Sequence, residues 1–299
     1  MPPAAMDDGV ARDNLKGGAW LIADMALNIW ALSIVKWLGA DYPSTQIVFL
    51  RALVGLVLIA PAAWRQRAVF RALPDLPLHL VRVGFAVVTL TASFFAIPRV
   101  PMATFTAVNF TRPLMTMVMA AIFLREDIGR RRWIAAGIAF VGILIAVNPR
   151  ELPWNAGLAA MALVVLTGSA AVIATRRLRG APTIVMMLFY TAGLTLCSAP
   201  FTALAWTPVQ PAHWLPLILV GAFAQSAQAC FLRAHYHGAA GFLAVLAYLS
   251  LVFSVSVGFV VFGERPGPAF ALGAALVVAA ALWVSLEARG LRQTGRTRL

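Results

Sequence analysis

Charge is scarce in this chain: Asp, Glu, Lys and Arg make up 12% of its 299 residues, about half the share found in soluble domains. Too few charged side chains remain to clothe a water-facing surface, which excludes an ordinary soluble protein. Acids are scarcer than bases, 11 against 24, giving a net charge of +13. In a soluble chain that excess would point to nucleic acid. Here the bases sit in short segments between apolar runs, and no nucleic-acid partner is expected. Cysteine is limited to Cys197 and Cys230, both inside apolar runs, which supports neither a disulfide framework nor a Cys-x-x-Cys metal site. No Gly-x-x-x-x-Gly-Lys-Ser/Thr run is present to cradle phosphates. A membrane enzyme acting on a lipid or prenyl substrate would need clustered acids for a metal, or a nucleophile beside a base, and neither cluster is evident. No catalytic residue, metal or cofactor is therefore expected.

What the chain has is apolar length. Hydrophobic residues make up 61% of it, and its mean hydropathy is +0.84. A spanning helix needs about 20 apolar residues. Stretches bounded by charge, proline and glycine place spans near 18–38, 44–63, 78–98, 101–124, 132–148, 155–175, 183–206, 213–234, 239–262 and 268–287. Runs this long without period-2 alternation are not barrel strands, so the expected fold is an all-α integral membrane bundle of ten transmembrane helices. The segment from Met1 to Gly18 carries Asp7, Asp8, Arg12, Asp13 and Lys16 before any apolar run. It lacks the basic start and short apolar core of a signal peptide, so the first span is expected to stay in the mature protein.

Basic residues orient the bundle. With a cytoplasmic N-terminus, the inner side collects the bases around Arg12, Arg65, Arg82, Arg130, Arg176, Arg233 and Arg289, and the outer side only Lys36, Arg99, Arg150 and Arg265. Such asymmetry follows the positive-inside rule and predicts both termini in the cytoplasm of a bacterial-type inner membrane. Arg51 and Arg112 fall within spans. Arg51 lies close enough to the second span's start to snorkel outward.

The halves resemble each other at a spacing of about 137–139 residues: Gly84, Phe94, Phe105, Ala107 and Val108 recur as Gly221, Phe231, Phe242, Ala244 and Val245. Five spans is an odd number, so a second copy must be inverted, dividing the chain into repeats at 1–150 and 151–299. Inverted repeats sharing a midplane site are a transporter architecture. Polar residues inside spans are costly and mark candidate sites. Trp20, Asp24 and Asn28 are four apart and share a helical face. Asp24 reads either as a cavity carboxylate for an amine or a proton, or as half of a packing ion pair. Phe105, Asn109, Arg112 and Thr116 form a second face. Pro113 lacks an N–H and releases the Asn109 carbonyl from the helix ladder. Arg112 reads either as a fork for a substrate carboxylate or as a partner of Asp24. Gln225 and Gln228 must find hydrogen bonds, from substrate or from a neighbouring helix. Thr89, Ser93, Tyr190 and Ser250 are weaker candidates. Trp37, Trp64, Trp133, Trp206 and Trp214 stand near span ends as belt residues. Glu126 and Glu264 are expected to cap the helices that follow them.

The acidic turns Leu124-Arg125-Glu126 and Gly263-Glu264-Arg265 each precede a Gly/Ala-rich helix, with Gly137 and Gly142 in one and Gly273 in the other. Together with the run Ile97-Pro98-Arg99-Val100-Pro101, they resemble the EamA-type members of the drug/metabolite transporter superfamily over nearly the whole chain. Within it, the chain looks most like the YddG-type exporters of aromatic amino acids. The resemblance implies a secondary transporter that moves a small amphipathic metabolite outward, an aromatic or other neutral amino acid, with another metabolite or a drug-like cation as the alternative. It implies a cavity between the first, third, fourth, sixth, eighth and ninth helices. On those helices Trp20, Trp30, Phe94, Phe105 and Tyr248 could form an aromatic wall. The expected partners are a small-molecule substrate, the lipid bilayer and, if Asp24 titrates, protons.

Overall fold

The computed structural model describes residues 14–71, 75–123, 125, 130–147, 155–178, 181–237, 243, 246 and 249–296. Among them the secondary structure is helical throughout: α1 (Asn14–Leu38), α2 (Ser44–Arg65), α3 (Leu76–Ala96), α4 (Met102–Asn109), α5 (Arg112–Phe123), α6 (Arg130–Val147), α7 (Ala156–Arg177), α8 (Thr183–Leu204), α9 (Trp214–His237), α10 (Leu249–Phe262) and α11 (Pro268–Arg296). Seven segments are long and apolar enough to cross a membrane, one of them joining α4 and α5 as Met102–Phe123. Trp133–Ala146, Leu249–Phe262 and Pro268–Ala280 are shorter apolar helices. The expected ninth span, 239–262, falls partly outside the described residues.

Proline and asparagine set many of the helix starts. Pro43, Pro101 and Pro182 occupy the N-cap positions of α2, α4 and α8, places where the missing N–H costs no ladder bond. Asn155 caps α7 by accepting the Leu158 N–H at 3.0 Å. Pro77 stands in the first turn of α3, so that helix begins at Leu76 and carries Arg82 about 9 Å along its axis.

The helices pair in a fixed pattern: α1 on α9, α3 on α7, α2 on α8, α6 on α11, and α4 on α10. The main core gathers Val35, Leu38, Ile47, Phe94, Ile97, Met102, Met161 and Leu217. The α6–α11 seam is built from small residues. A Cβ at Gly142 would sit 2.8 Å from the Gly273 carbonyl oxygen, and one at Gly273 would strike the Gly142 carbonyl and the Ala146 nitrogen, so two backbones pack almost directly against each other. Outward, the bundle shows Val57, Leu58, Leu80, Leu196, Leu204 and Val260, each at least half exposed. A coat of that kind suits lipid and not water. Trp37, Trp64, Trp133, Trp206 and Trp214 are all exposed near helix ends, as interface belt residues are.

Candidate functional site

The fourth span is interrupted. α4 ends at Asn109 and α5 starts at Arg112, because Pro113 has no N–H to donate to the ladder. Thr111 Oγ1 donates to the Val108 carbonyl at 2.7 Å and Asn109 Nδ2 to the Phe105 carbonyl at 3.0 Å, so polar side chains on both sides of the break satisfy α4's last carbonyls. The break places Arg112 in the first turn of α5, halfway along the span, and Ser169 Oγ of α7 donates to its carbonyl at 3.2 Å.

The Arg112 guanidinium lies flat against Gly168 of α7: a Cβ there would come within 2.6–2.8 Å of its Nη2, Nε and Cζ atoms. Glycine is what lets the cation sit beside that helix. The same side chain lines a cavity of about 270 Å³ between α3, α5, α7 and α8, together with Arg82, Thr89, Ser93, Thr175 and Tyr190. Arg82 is half-buried, its Nε donating to Thr175 Oγ1 at 2.9 Å and its Nη1 to the Met186 carbonyl at 3.2 Å. Thr89 Oγ1 shares a 2.7 Å hydrogen bond with Thr167, and Ser93 Oγ donates to the Thr89 carbonyl. Among the described residues, no carboxylate lines this cavity. Two guanidinium groups therefore share a small polar space walled by hydroxyls.

The other end of the bundle is tied shut. Lys36 Nζ at the end of α1 stands 2.6 Å from Glu264 Oε1 beyond α10, with each side chain 14% exposed, and also donates to the Val100 carbonyl at 2.8 Å. Glu264 Oε2 accepts the Met102 N–H at 2.8 Å, so the acid caps α4. That corrects the expectation that Glu264 caps the helix after it. Gly263 supplies the turn with φ of +65°, and Gly258 leaves room for the carboxylate, since a Cβ there would lie 2.6 Å from Oε2. A second tie lies at the same end. Gln46 Nε2 donates to the Thr207 carbonyl at 2.8 Å while Thr207 N–H donates to Gln46 Oε1 at 3.0 Å. Tyr42 Oη is hydrogen-bonded to His213 Nδ1 at 2.8 Å.

The residues singled out from sequence fall in separate places. Asp24 is buried and accepts from Asn28 Nδ2 at 2.8 Å, while Asn28 itself is exposed. Trp20 packs in the cluster with Leu21, Met25, Ala234 and Leu243, and Arg233 lies 4.8 Å over its ring. Phe94 and Phe105 are core residues, and Arg51 rests over the Phe94 ring at 5.8 Å. Asn109 bonds within its own helix. Gln225 faces Gly55 of α2, and Gln228 is exposed. Tyr248 and Glu126 lie outside the described residues. Among the nine described candidates, only Arg112 lines the cationic cavity, where it is joined by Thr89, Ser93 and Tyr190. The cavity is walled by α3, α5, α7 and α8; in the expected ten-span order the first three belong to the third, fourth and sixth helices, which are in the set that the family resemblance implies.

Arg82 is the residue that sequence reasoning passed over, by sorting it with the inner loops. The signal was present: Arg82, Thr89 and Ser93 follow helical spacing and form one polar stripe along α3.

Apolar helices that tie together at one end and line a partly open polar cavity in the opposite half are an arrangement that a membrane transporter can use. Residues 17–148 and residues 154–286 each match the EamA-like transporter family, and the chain belongs to it. It is 27% identical over 286 residues to the pseudopaline exporter of Pseudomonas aeruginosa, covering 93% of this chain and 99% of that one. It is 23% identical to the S-adenosylmethionine uptake transporter of Rickettsia conorii, with 93% and 95% covered. The riboflavin transporter of Brucella anthropi is 26% identical, with 87% and 94% covered. A solved crystal structure 20% identical to the chain superposes with a TM-score of 0.67 over 93% of this chain and 99% of that one, which shows the fold alone. The chain thus belongs to a family of multi-pass membrane transporters, not of enzymes. The narrower likeness to aromatic amino-acid exporters is not carried by these relatives.

Proposed function

We propose that the protein is a secondary carrier that moves a small, carboxylate-bearing metabolite by alternating access, with Arg112 as the carboxylate anchor. The observation that carries this reading is the contrast between the two ends: Lys36, Glu264, Val100 and Met102 tie α1, α4 and α10 together, while the cavity of Arg82 and Arg112 lies toward the opposite helix ends. With a cytoplasmic N-terminus in a bacterial inner membrane, as the distribution of basic residues suggests, the tied end is external and the cavity belongs to the cytoplasmic half.

Two inverted five-helix repeats, 1–150 and 151–299, account for the pairing pattern. Exchanging each span for its counterpart five spans later turns the α1–α9 pair into the α7–α3 pair, and maps α2–α8, α4–α10 and α6–α11 onto themselves. A pseudo-two-fold of this kind lets the halves rock between two equivalent closures. The gradient sets net direction in such a carrier, and the named relatives include both an exporter and an uptake transporter. An aromatic or neutral amino acid is one member of the proposed substrate class, bound through its carboxylate.

The test is counterflow in proteoliposomes preloaded with a panel of unlabelled carboxylates and amino acids, with the Arg112→Ala protein in parallel. Exchange by the wild type that falls at least tenfold in a folded variant is expected. Absence of exchange for every solute on the panel would overturn the carrier reading.

A further inference from the structure

We infer that the cavity between α3, α5, α7 and α8 is built for a small organic dianion, with its negative charge shared between Arg82 and Arg112; this rests on the carrier reading above and narrows it to a substrate class. The argument begins with charge. Among the described residues the lining holds two guanidinium groups and no carboxylate, and its other polar side chains are the hydroxyls of Thr89, Ser93, Thr175 and Tyr190. Neither arginine has an ion-pair partner among the described residues. Two half-buried cations in an apolar bundle are costly unless an anion answers them. A neutral zwitterion does not answer them, because it returns one positive charge for each negative one it brings.

The arginines are held in different ways, and both ways leave donors for a ligand. Arg82 spends its Nε on Thr175 and one terminal nitrogen on the Met186 carbonyl. Those bonds fix its plane and leave the Nη2 donors of the five-donor fork. The Arg112 guanidinium makes no hydrogen bond to any described residue, yet it is positioned by its seat against Gly168. The two cations come from helices of one half, α3 and α5, and close against α7 and α8 of the other. An anion bridging them sits on the seam between halves, where binding can bias their relative position. Size limits the ligand as well: about 270 Å³ is just below the roughly 300–1,000 Å³ of ordinary small-ligand sites, which favours a compact acid.

The experiment measures affinity of the detergent-purified full chain, at constant ionic strength, for succinate, glycerol 3-phosphate, butyrate and phenylalanine. Each is measured on wild type, Arg82→Gln and Arg82→Lys. The expected result is that at least one dianion binds about tenfold or more tightly than butyrate and phenylalanine, the range commanded by one charge-assisted hydrogen bond. Arg82→Gln should collapse that ratio toward one, and Arg82→Lys should retain part of it. A purely structural role for Arg82 would weaken all four ligands together and leave the ratio unchanged. Succinate and glycerol 3-phosphate separate two carboxylates from a single phosphate as the carrier of the charge. Equal or tighter binding of phenylalanine, a ratio that survives Arg82→Gln in a folded protein, or no binding of either dianion overturns the inference. Counterflow of a zwitterion alone would sink it while leaving the carrier reading intact.

Discussion

Removing the Lys36–Glu264 pair should show how much the tied end contributes to the bundle. The two charges are 2.6 Å apart with only 14% of each side chain exposed. At an effective dielectric of about 20, their gross attraction is about 6 kcal/mol, and desolvation of both ions cancels the larger part. A net coupling of about 2–3 kcal/mol remains, in line with a charged hydrogen bond. Lys36→Met should cost about 3–5 kcal/mol, because it strands a largely buried carboxylate. Glu264→Gln keeps an amide oxygen for the Met102 N–H but strands the Lys36 ammonium, equally little exposed, and should also cost about 3–5 kcal/mol. In the double variant no charge is stranded, so its cost should fall short of the sum of the singles by the coupling energy. Equilibrium unfolding of the four proteins in mixed micelles closes the cycle, and it removes the separate loss of the bond to the Val100 carbonyl. Single costs that add within about 0.5 kcal/mol, as for independent sites, would refute the pair as a tie.

Three further outcomes follow from close approaches and buried bonds. Gly168→Ala drives a methyl into the Arg112 guanidinium, so substrate affinity measured by counterflow should fall roughly tenfold or more, the scale of one charged hydrogen bond, while the melting temperature changes little. Gly273→Ala collides with the backbone of α6 at Gly142 and Ala146, where no side chain can yield. It should destabilise the bundle by about 1–3 kcal/mol or more, read as a fall in melting temperature. Gln46→Ala leaves the Thr207 N–H and carbonyl unpartnered beside a fully buried site. A loss of about 2–3 kcal/mol is expected, and a loss below about 0.5 kcal/mol in the same unfolding assay would count against that tie.

Seven spans were legible because lipid demands long apolar runs and the sequence writes them out, while Trp133–Ala146, Leu249–Phe262 and Pro268–Ala280 are shorter apolar helices than the expected spans there. The break at Asn109–Arg112 was legible for a local reason as well, since Pro113 acts on its own helix. Asp24 and Asn28 meet as their i, i+4 spacing requires. What the sequence hid depends on partners far along the chain. Glu264 beside a helix start looks like that helix's cap, yet its carboxylate reaches Met102, 162 positions away. Arg82 lies within the expected span 78–98, yet its place near the inner end groups it with the inner-side bases; its bonds to Thr175 and Met186 on two other helices set it against the bundle instead. Its partner Arg112 needed Gly168 of another helix to define its place, and no periodicity within either segment encodes that meeting.

An ion pair is a fitting seal for a carrier because its net contribution is small compared with its geometric demand. An apolar plug gains stability with every square ångström it buries, about 25 cal/mol for each, and must lose all of it when the end opens. Lys36 and Glu264 recover most of their attraction as hydration once separated, so opening costs little more than the coupling energy. Closure, by contrast, is selective: the carboxylate must meet Lys36 and the Met102 N–H together, and Gly258 must leave it room. Such a contact specifies one closed arrangement of α1, α4 and α10 without making it deep. A bound anion at the Arg82–Arg112 cavity need then shift the balance by only a few kcal/mol to change which end is shut.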